Sequence, residues 1–241
     1  MTGESPLAGT TVVVIGGSAG IGLETARLAR DQGADVIIAA RNADRLKEVG
    51  RELGASVAMF DATDFGRLAS FFDELVPVDH VLVTGPGPYY ALLDDIDLDA
   101  ARRDVEAHLL LPVEVARHAR HKVRPGGTLL FMGGTGGRRT APGLSLIGAM
   151  TAAMPALTRN LALELAPIRV NLIAAGFVDT PLSAELLGEG IDERRDELRS
   201  RLPIGRVVGP ADVAALAVHL MVNTALTGAT YDIDGGQQLL A

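Results

Sequence analysis

Apolar and polar positions fall along this chain in blocks. Short, predominantly apolar runs stand at 11–15, 35–39, 56–60, 80–84, 127–132, 169–174 and 229–233. A run this short with little polar interruption predicts a strand covered on both faces, as in a parallel sheet. Between the runs, apolar residues recur at helical spacing over 21–32, 43–53, 65–76, 98–123, 148–166 and 210–222. The alternation carries no internal repeat and no low-complexity linker. It predicts one α/β domain over 1–241, built on a doubly wound parallel sheet of about seven strands of the Rossmann type. Ligands of such sheets lie beyond the carboxyl ends of the strands. The segments to inspect are therefore 16–22, 40–41, 61–62, 84–90, 133–139 and 175–180.

The first of these carries the clearest chemistry. The stretch VVVIGGSAGIG puts Gly16, Gly20 and Gly22 between a buried strand and the start of a helix, with Ser18 and Ile21 among them. A pyrophosphate needs free backbone N–H groups at the positive end of a helix, which side chains would obstruct. Glycines also serve simply to reverse a chain, so the next element matters. The second run, ADVIIAAR, ends in Ala40 and Arg41 where an acid would bond the ribose hydroxyls of NAD. A guanidinium there suits a 2′-phosphate by charge and by its forked donors, which favours NADP(H) over NAD(H).

Composition narrows the partners. A formal net charge of −8 argues against nucleic acid and anionic membranes. Hydrophobic residues make up 48% of the chain, yet no apolar run approaches the ~20 residues of a membrane span. The apolar surplus in 98–123 and 148–166 predicts a homodimer or homotetramer. With no cysteine there is no disulfide and no zinc–thiolate site, and no metal is expected. The opening MTGESPLAGTT has neither a basic nor a hydrophobic leader pattern, so a cytoplasmic protein acting on a small molecule is expected.

Beyond these features the chain resembles the short-chain dehydrogenase/reductases of the classical size class over nearly its whole length. The resemblance rests on IGGSAGIG, FDATD, LTRNLALELAPIRVN with AAGFVDTPL, and RVVGPADVAAL followed by LTGATYDIDGG. It implies that Asp61 meets the adenine amino group and that Ala62 lines the adenine pocket. Gly85, Gly87 and Gly176 would keep the family's turn glycines, and Val178 and Thr180 would hold the nicotinamide carboxamide. Asp234, Gly235 and Gly236 would lie in a segment that usually packs at subunit contacts.

The departures concern the chemistry. The family uses a tyrosine as acid or base, a lysine four residues later, a serine and an asparagine. The lysine matters because a phenol near pKa ~10 carries protons poorly at neutral pH until a cation favours its anion. Aligned through LTRNLALEL, these positions hold Ile147, Thr151, Gly134 and, for the asparagine, His108. Thr84-Gly85-Pro86-Gly87 stands for Asn-Asn-Ala-Gly, and Ala175-Gly176 for Pro-Gly. Pro155 predicts either a kink at Thr151 or a helix that begins only near Met154.

Replacement groups are Tyr89 and Tyr90, which either donate a proton or roof the cleft, and His108, which either transfers a proton or fixes its helix. Thr135 and Thr151 read as structural. Arg138 and Arg139 form either a carboxylate clamp or a solvated loop. The charged stretch 183–201, with hinge-capable Gly188 and Gly190, matches the place of a mobile lid. Three functions stay open: an NADP(H)-dependent oxidoreductase on a carbonyl or alcohol, a dinucleotide-binding sensor or partner without turnover, and non-redox chemistry in the same cleft.

Overall fold

The computed structural model of the protein describes residues 5–138 and 140–240. Strands β1 (Thr11–Ile15), β2 (Asp35–Ala40), β3 (Ser56–Met59), β4 (Val78–Val83), β5 (Val123–Gly134), β6 (Arg169–Ala175) and β7 (Thr230–Ile233) form a single sheet. Its order is β3-β2-β1-β4-β5-β6-β7, with every neighbouring pair parallel. The sheet class expected from the alternation is the one observed.

Helices cover both faces. One layer comprises α3 (Phe65–Glu74), α5 (Leu111–Ala119) and α6 (Ser145–Glu164), and the other comprises α1 (Gly20–Asp31), α2 (Ala43–Leu53) and α9 (Pro210–Val222). The side-chain period of two divides β1 between them, with Val13 and Ile15 entering the first core and Val12 and Val14 the second. That is why this strand reads as unbroken hydrophobicity. Each such side chain, fully buried, contributes about 1.5–3 kcal/mol by transfer scales.

After β1 the chain fills one side of the sheet with β2 and β3, then returns to lay β4 against the other side of β1. The resulting switch point opens a crevice at the carboxyl ends of β1 and β4. At the opposite end, the buried Arg169 donates to the carbonyls of Leu220, Met221 and Asn223, which closes the C-terminus of α9.

Two expectations need correction. The helix read over 98–123 is α4 (Leu98–Val105), a π-helical segment Glu106–Leu110, then α5; the apolar spacing continues through the π segment, so the pattern hides the break. Pro155 does not delay the next helix, because α6 starts at Ser145 and runs through it. A proline removes one helix bond, here to the Thr151 carbonyl, and packing of Ile147, Met150, Met154, Thr158 and Leu161 on one buried stripe outweighs that loss. The charged stretch forms two helices, α7 (Pro181–Leu187) and α8 (Ile191–Arg201), joined by the 3₁₀ turn Gly188–Gly190. Among the described residues no helix is long and apolar enough to cross a membrane.

Candidate functional site

The glycine turn sits at the switch point, and its glycines are there for space. Gly16 has φ +92°, and a Cβ on it would stand 2.0 Å from Thr84 Oγ1 and 2.8 Å from the Thr84 carbonyl oxygen. A Cβ on Gly22 would stand 2.2 Å from the Gly16 carbonyl oxygen, so the first turn of α1 lies directly on the loop. Thr84, at the end of β4, donates through its N–H and its hydroxyl to Ile15 O at 2.9 and 3.1 Å and so ties the two strand ends together. The N-terminus of α1 has Ala19 at its cap, with no side-chain bond and no acid in the first turn. By contrast, Asn42, Asp64, Asp97 and Thr180 cap α2, α3, α4 and α7. The first N–H groups of α1 are thus left for an anion, with Ser18 and the half-buried Ile21 beside them.

The end of β2 supplies the second part. Arg41 lies 3.7 Å from Asp61, and its side chain is 69% exposed. Asp61 Oδ1 accepts from the N–H and hydroxyl of Thr63 at 3.0 and 2.8 Å. Partial burial pushes the Asp61 carboxyl up, but the Thr63 bonds and the Arg41 charge outweigh it and hold the group below the usual carboxylate range. Ala62 packs against the first core beside them.

The loops after β4 and β6 face each other across the crevice. A Cβ on Gly20 would lie 3.5 Å from Thr180, whose side chain caps α7 in a reciprocal pair with Ser183. A Cβ on Gly87 would lie 3.0 Å from Leu182, which brings the β4 loop against α7. Gly176 has Asp234 and Gln237 at 2.6 Å from a Cβ position, and Val178 bridges to Val208. The carboxyl-terminal segment therefore packs on the β6 loop of its own chain. Arg195 of α8 binds Asp179 bidentately at 2.8 and 3.0 Å, fastening the charged helix over this edge.

Of the residues expected to carry protons, Tyr89 has its hydroxyl accepting the Asp97 N–H at 2.9 Å, a fastening at the start of α4. Tyr90 is 55% exposed, and burial of its phenol, then the Asp104 charge, push its pKa up. His108 lies in the π segment, with Nε2 3.8 Å from a Cβ position on Gly85 and Nδ1 3.0 Å from Asp104 Oδ1. Asp104 escaped the sequence reading because it resembles any acid of a helical charged face; the signal was its place four residues before His108.

Gly134 and Thr151 meet at the end of β5, where a Cβ on Gly134 would touch Thr151 Cγ2 at 3.5 Å, and Ile147 is buried one turn earlier on α6. Thr151 donates its hydroxyl to Ile147 O at 2.9 Å. Gly134 and Thr151, with Pro155 and Arg138, line a cavity of about 180 Å³. Arg138 pairs with Asp232 and donates to Gln238. Arg139 lies outside the described residues.

Residues 16–238 match the family described as enoyl-(acyl carrier protein) reductase. The short-chain dehydrogenase/reductase ATR9 of Stachybotrys chlorohalonatus is 30% identical, with 95% of this chain and 96% of the relative covered. A solved small-chain dehydrogenase in complex with NADPH superposes with a TM-score of 0.83 at 28% identity, covering 95% of this chain and 99% of the other. The MalC reductase/Diels-Alderase of Malbranchea aurantiaca superposes with a TM-score of 0.86 at 26% identity, covering 99% of each.

Proposed function

The chain belongs to the short-chain dehydrogenase/reductase family, and from that premise we propose that it is an NADP(H)-dependent oxidoreductase acting on a carbonyl or alcohol. The observation that carries the reading is the turn from Gly16 to Gly22, which has no room for a side chain at Gly16 or Gly22 and opens on the uncapped start of α1. NADP(H) fits that cradle. Gly16, Ser18, Gly20, Ile21 and Gly22 would receive the pyrophosphate, Arg41 the 2′-phosphate, and Asp61 and Ala62 the adenine. Gly85 and Gly87 would leave room along the ribose and nicotinamide, and Gly176, Val178 and Thr180 would hold the carboxamide. The complex of the similar dehydrogenase with NADPH supports this assignment.

The bound nicotinamide exchanges a hydride with the substrate carbon. What this chain's residues add is orientation and a proton for the substrate oxygen. The family's serine, tyrosine and lysine positions hold Gly134, Ile147 and Thr151, none of which is a competent general acid or base at neutral pH, so the proton must come from elsewhere. Tyr89, Tyr90 and His108 are the candidates. His108 ranks first, because Tyr89 is engaged with Asp97 and the Tyr90 phenol is made a weaker acid. A second reading, non-redox chemistry in the same cleft, draws support from those three replacements and from the reductase/Diels-Alderase likeness.

Nicotinamide absorbance, followed with NADPH, NADH and a panel of aldehydes and ketones, tests the proposal. Oxidation of NADPH dependent on a carbonyl supports it. Tight NADPH binding with no turnover across the panel would favour the second reading.

A further inference from the structure

We infer that Asp104 is a positioning residue whose buried carboxylate holds the Nδ1 face of His108, so that Nε2 is the atom that exchanges a proton with the reacting oxygen. The inference rests on the proposed function and names the group that serves it.

The geometry begins with the π segment. Its wider turn interrupts the helix at His108, and such single π turns often occur where a helix must re-aim a functional side chain. Asp104, in the last turn of α4, is 6% exposed. Its Oδ1 lies 3.0 Å from His108 Nδ1 and accepts from the Tyr89 N–H at 3.2 Å, and its backbone carbonyl is within hydrogen-bond reach of the same Nδ1 at 3.1 Å. Two acceptors on one nitrogen demand a donor, so Nδ1 keeps its proton. Oδ2 is buried with no hydrogen-bond partner among the described residues. A carboxylate with one oxygen left bare is a costly structural fastener, whereas a cation arriving at the ring repays its burial.

The other side of the ring faces the crevice. Nε2 stands 3.2 Å from the Pro86 carbonyl oxygen, in the loop that follows β4. With a proton on Nε2 that contact is a hydrogen bond. A Cβ on Gly85 would come into van der Waals contact with the ring, 3.8 Å from Cδ2 and from Nε2. In the reducing direction the Nε2 proton passes to the substrate oxygen as the hydride reaches the carbon, and the ring is left neutral with Nδ1–H on Asp104. In the oxidising direction Nε2 takes the hydroxyl proton.

Few other ionisable groups bear on the pair. Tyr90 comes from the β4 loop and feels the Asp104 charge, and Tyr89 is bonded to Asp97. On α4, Arg102 is paired with Asp99, and Glu106 belongs to the π segment itself. Packed against that segment, α6 has no ionisable side chain before Arg159. Burial, the largest influence, raises the Asp104 carboxyl, and the ring charge and the Tyr89 N–H oppose it.

The test is ¹⁵N NMR of the imidazoles in the cofactor-free full-length chain, with the His108 signals identified by their loss in His108→Asn. In the wild-type protein the neutral ring is expected to carry its proton on Nδ1. In Asp104→Asn the titration midpoint of His108 is expected to move to lower pH by about one unit or more, the effect of removing an adjacent opposite charge. The limb of the pH–rate profile set by His108 should move with it, and Asp104→Glu should restore part of the shift. A neutral ring protonated on Nε2, or a midpoint unchanged in Asp104→Asn, overturns the inference. If Asp104→Asn does not fold, the wild-type tautomer decides alone. If no carbonyl is turned over, the proposed function fails while the imidazole measurement still judges the pair.

Discussion

Lowering the pH from 7 to 5 is expected to cost this fold stability through one histidine. His80, in β4 between Val12 of β1 and Thr128 of β5, is 6% exposed, and its Nδ1 is buried without a partner among the described residues. Burial pushes its pKa down from 6.5 to about 4, with Asp79 opposing the shift and Arg169 adding to it. The folded ring stays neutral while the unfolded chain takes up a proton below pH 6.5, so the contribution is whole above that value and is lost as pH falls towards 4. Each pH unit inside that window removes about 1.4 kcal/mol, so the step from 7 to 5 removes about 2 kcal/mol. That is a large share of a typical domain's 5–15 kcal/mol. Urea unfolding of the wild-type protein and of His80→Leu at several pH values from 4.5 to 7 measures it. The variant's own offset does not matter, because only the difference in slope is read. Parallel pH dependences of the two proteins would refute the reasoning.

Ile147→Tyr with Thr151→Lys should raise the reductase rate far more than either change alone, by up to ~10² to 10⁴, because the cation is useful only beside a phenol. Single changes matching the double by steady-state kinetics would contradict this. Arg195→Gln should leave global stability nearly unchanged, since the pair with Asp179 is part-exposed, yet speed hydrogen exchange over 181–201; unchanged exchange would remove α8 as a fastened lid. Light scattering at micromolar concentration should give a dimer or tetramer, and a clean 25 kDa species would contradict the expected assembly.

The sheet and the cofactor cradle were legible because each depends on local sequence. Unbroken apolar runs such as 12–15 announce a strand covered twice, and only glycine satisfies the approach of Gly16 to Thr84. Arg41 could be read from its place after a strand, whereas its pairing with Asp61 required the β2–β3 register. The π turn was hidden, because its apolar spacing continues that of the flanking helices. Asp104 was hidden too, because a charged residue on a helix is ordinarily solvated and only the β4 loop, folded over it through Tyr89, makes it buried. Pro155 misled for a related reason: one lost bond is a local cost, and the buried stripe of α6 is a tertiary gain.

The central claim, that this cleft holds NADP(H) through the glycine turn and Arg41, is tested most directly by calorimetric titration of the wild-type protein and Arg41→Ala with NADPH and NADH. NADPH is expected to bind the wild-type protein more tightly than NADH. Arg41→Ala should weaken NADPH by about 1.5–3 kcal/mol, roughly 10- to 150-fold, and leave NADH nearly unchanged. Equal affinities of the unmutated protein for the two cofactors, or no binding of either, would contradict the account.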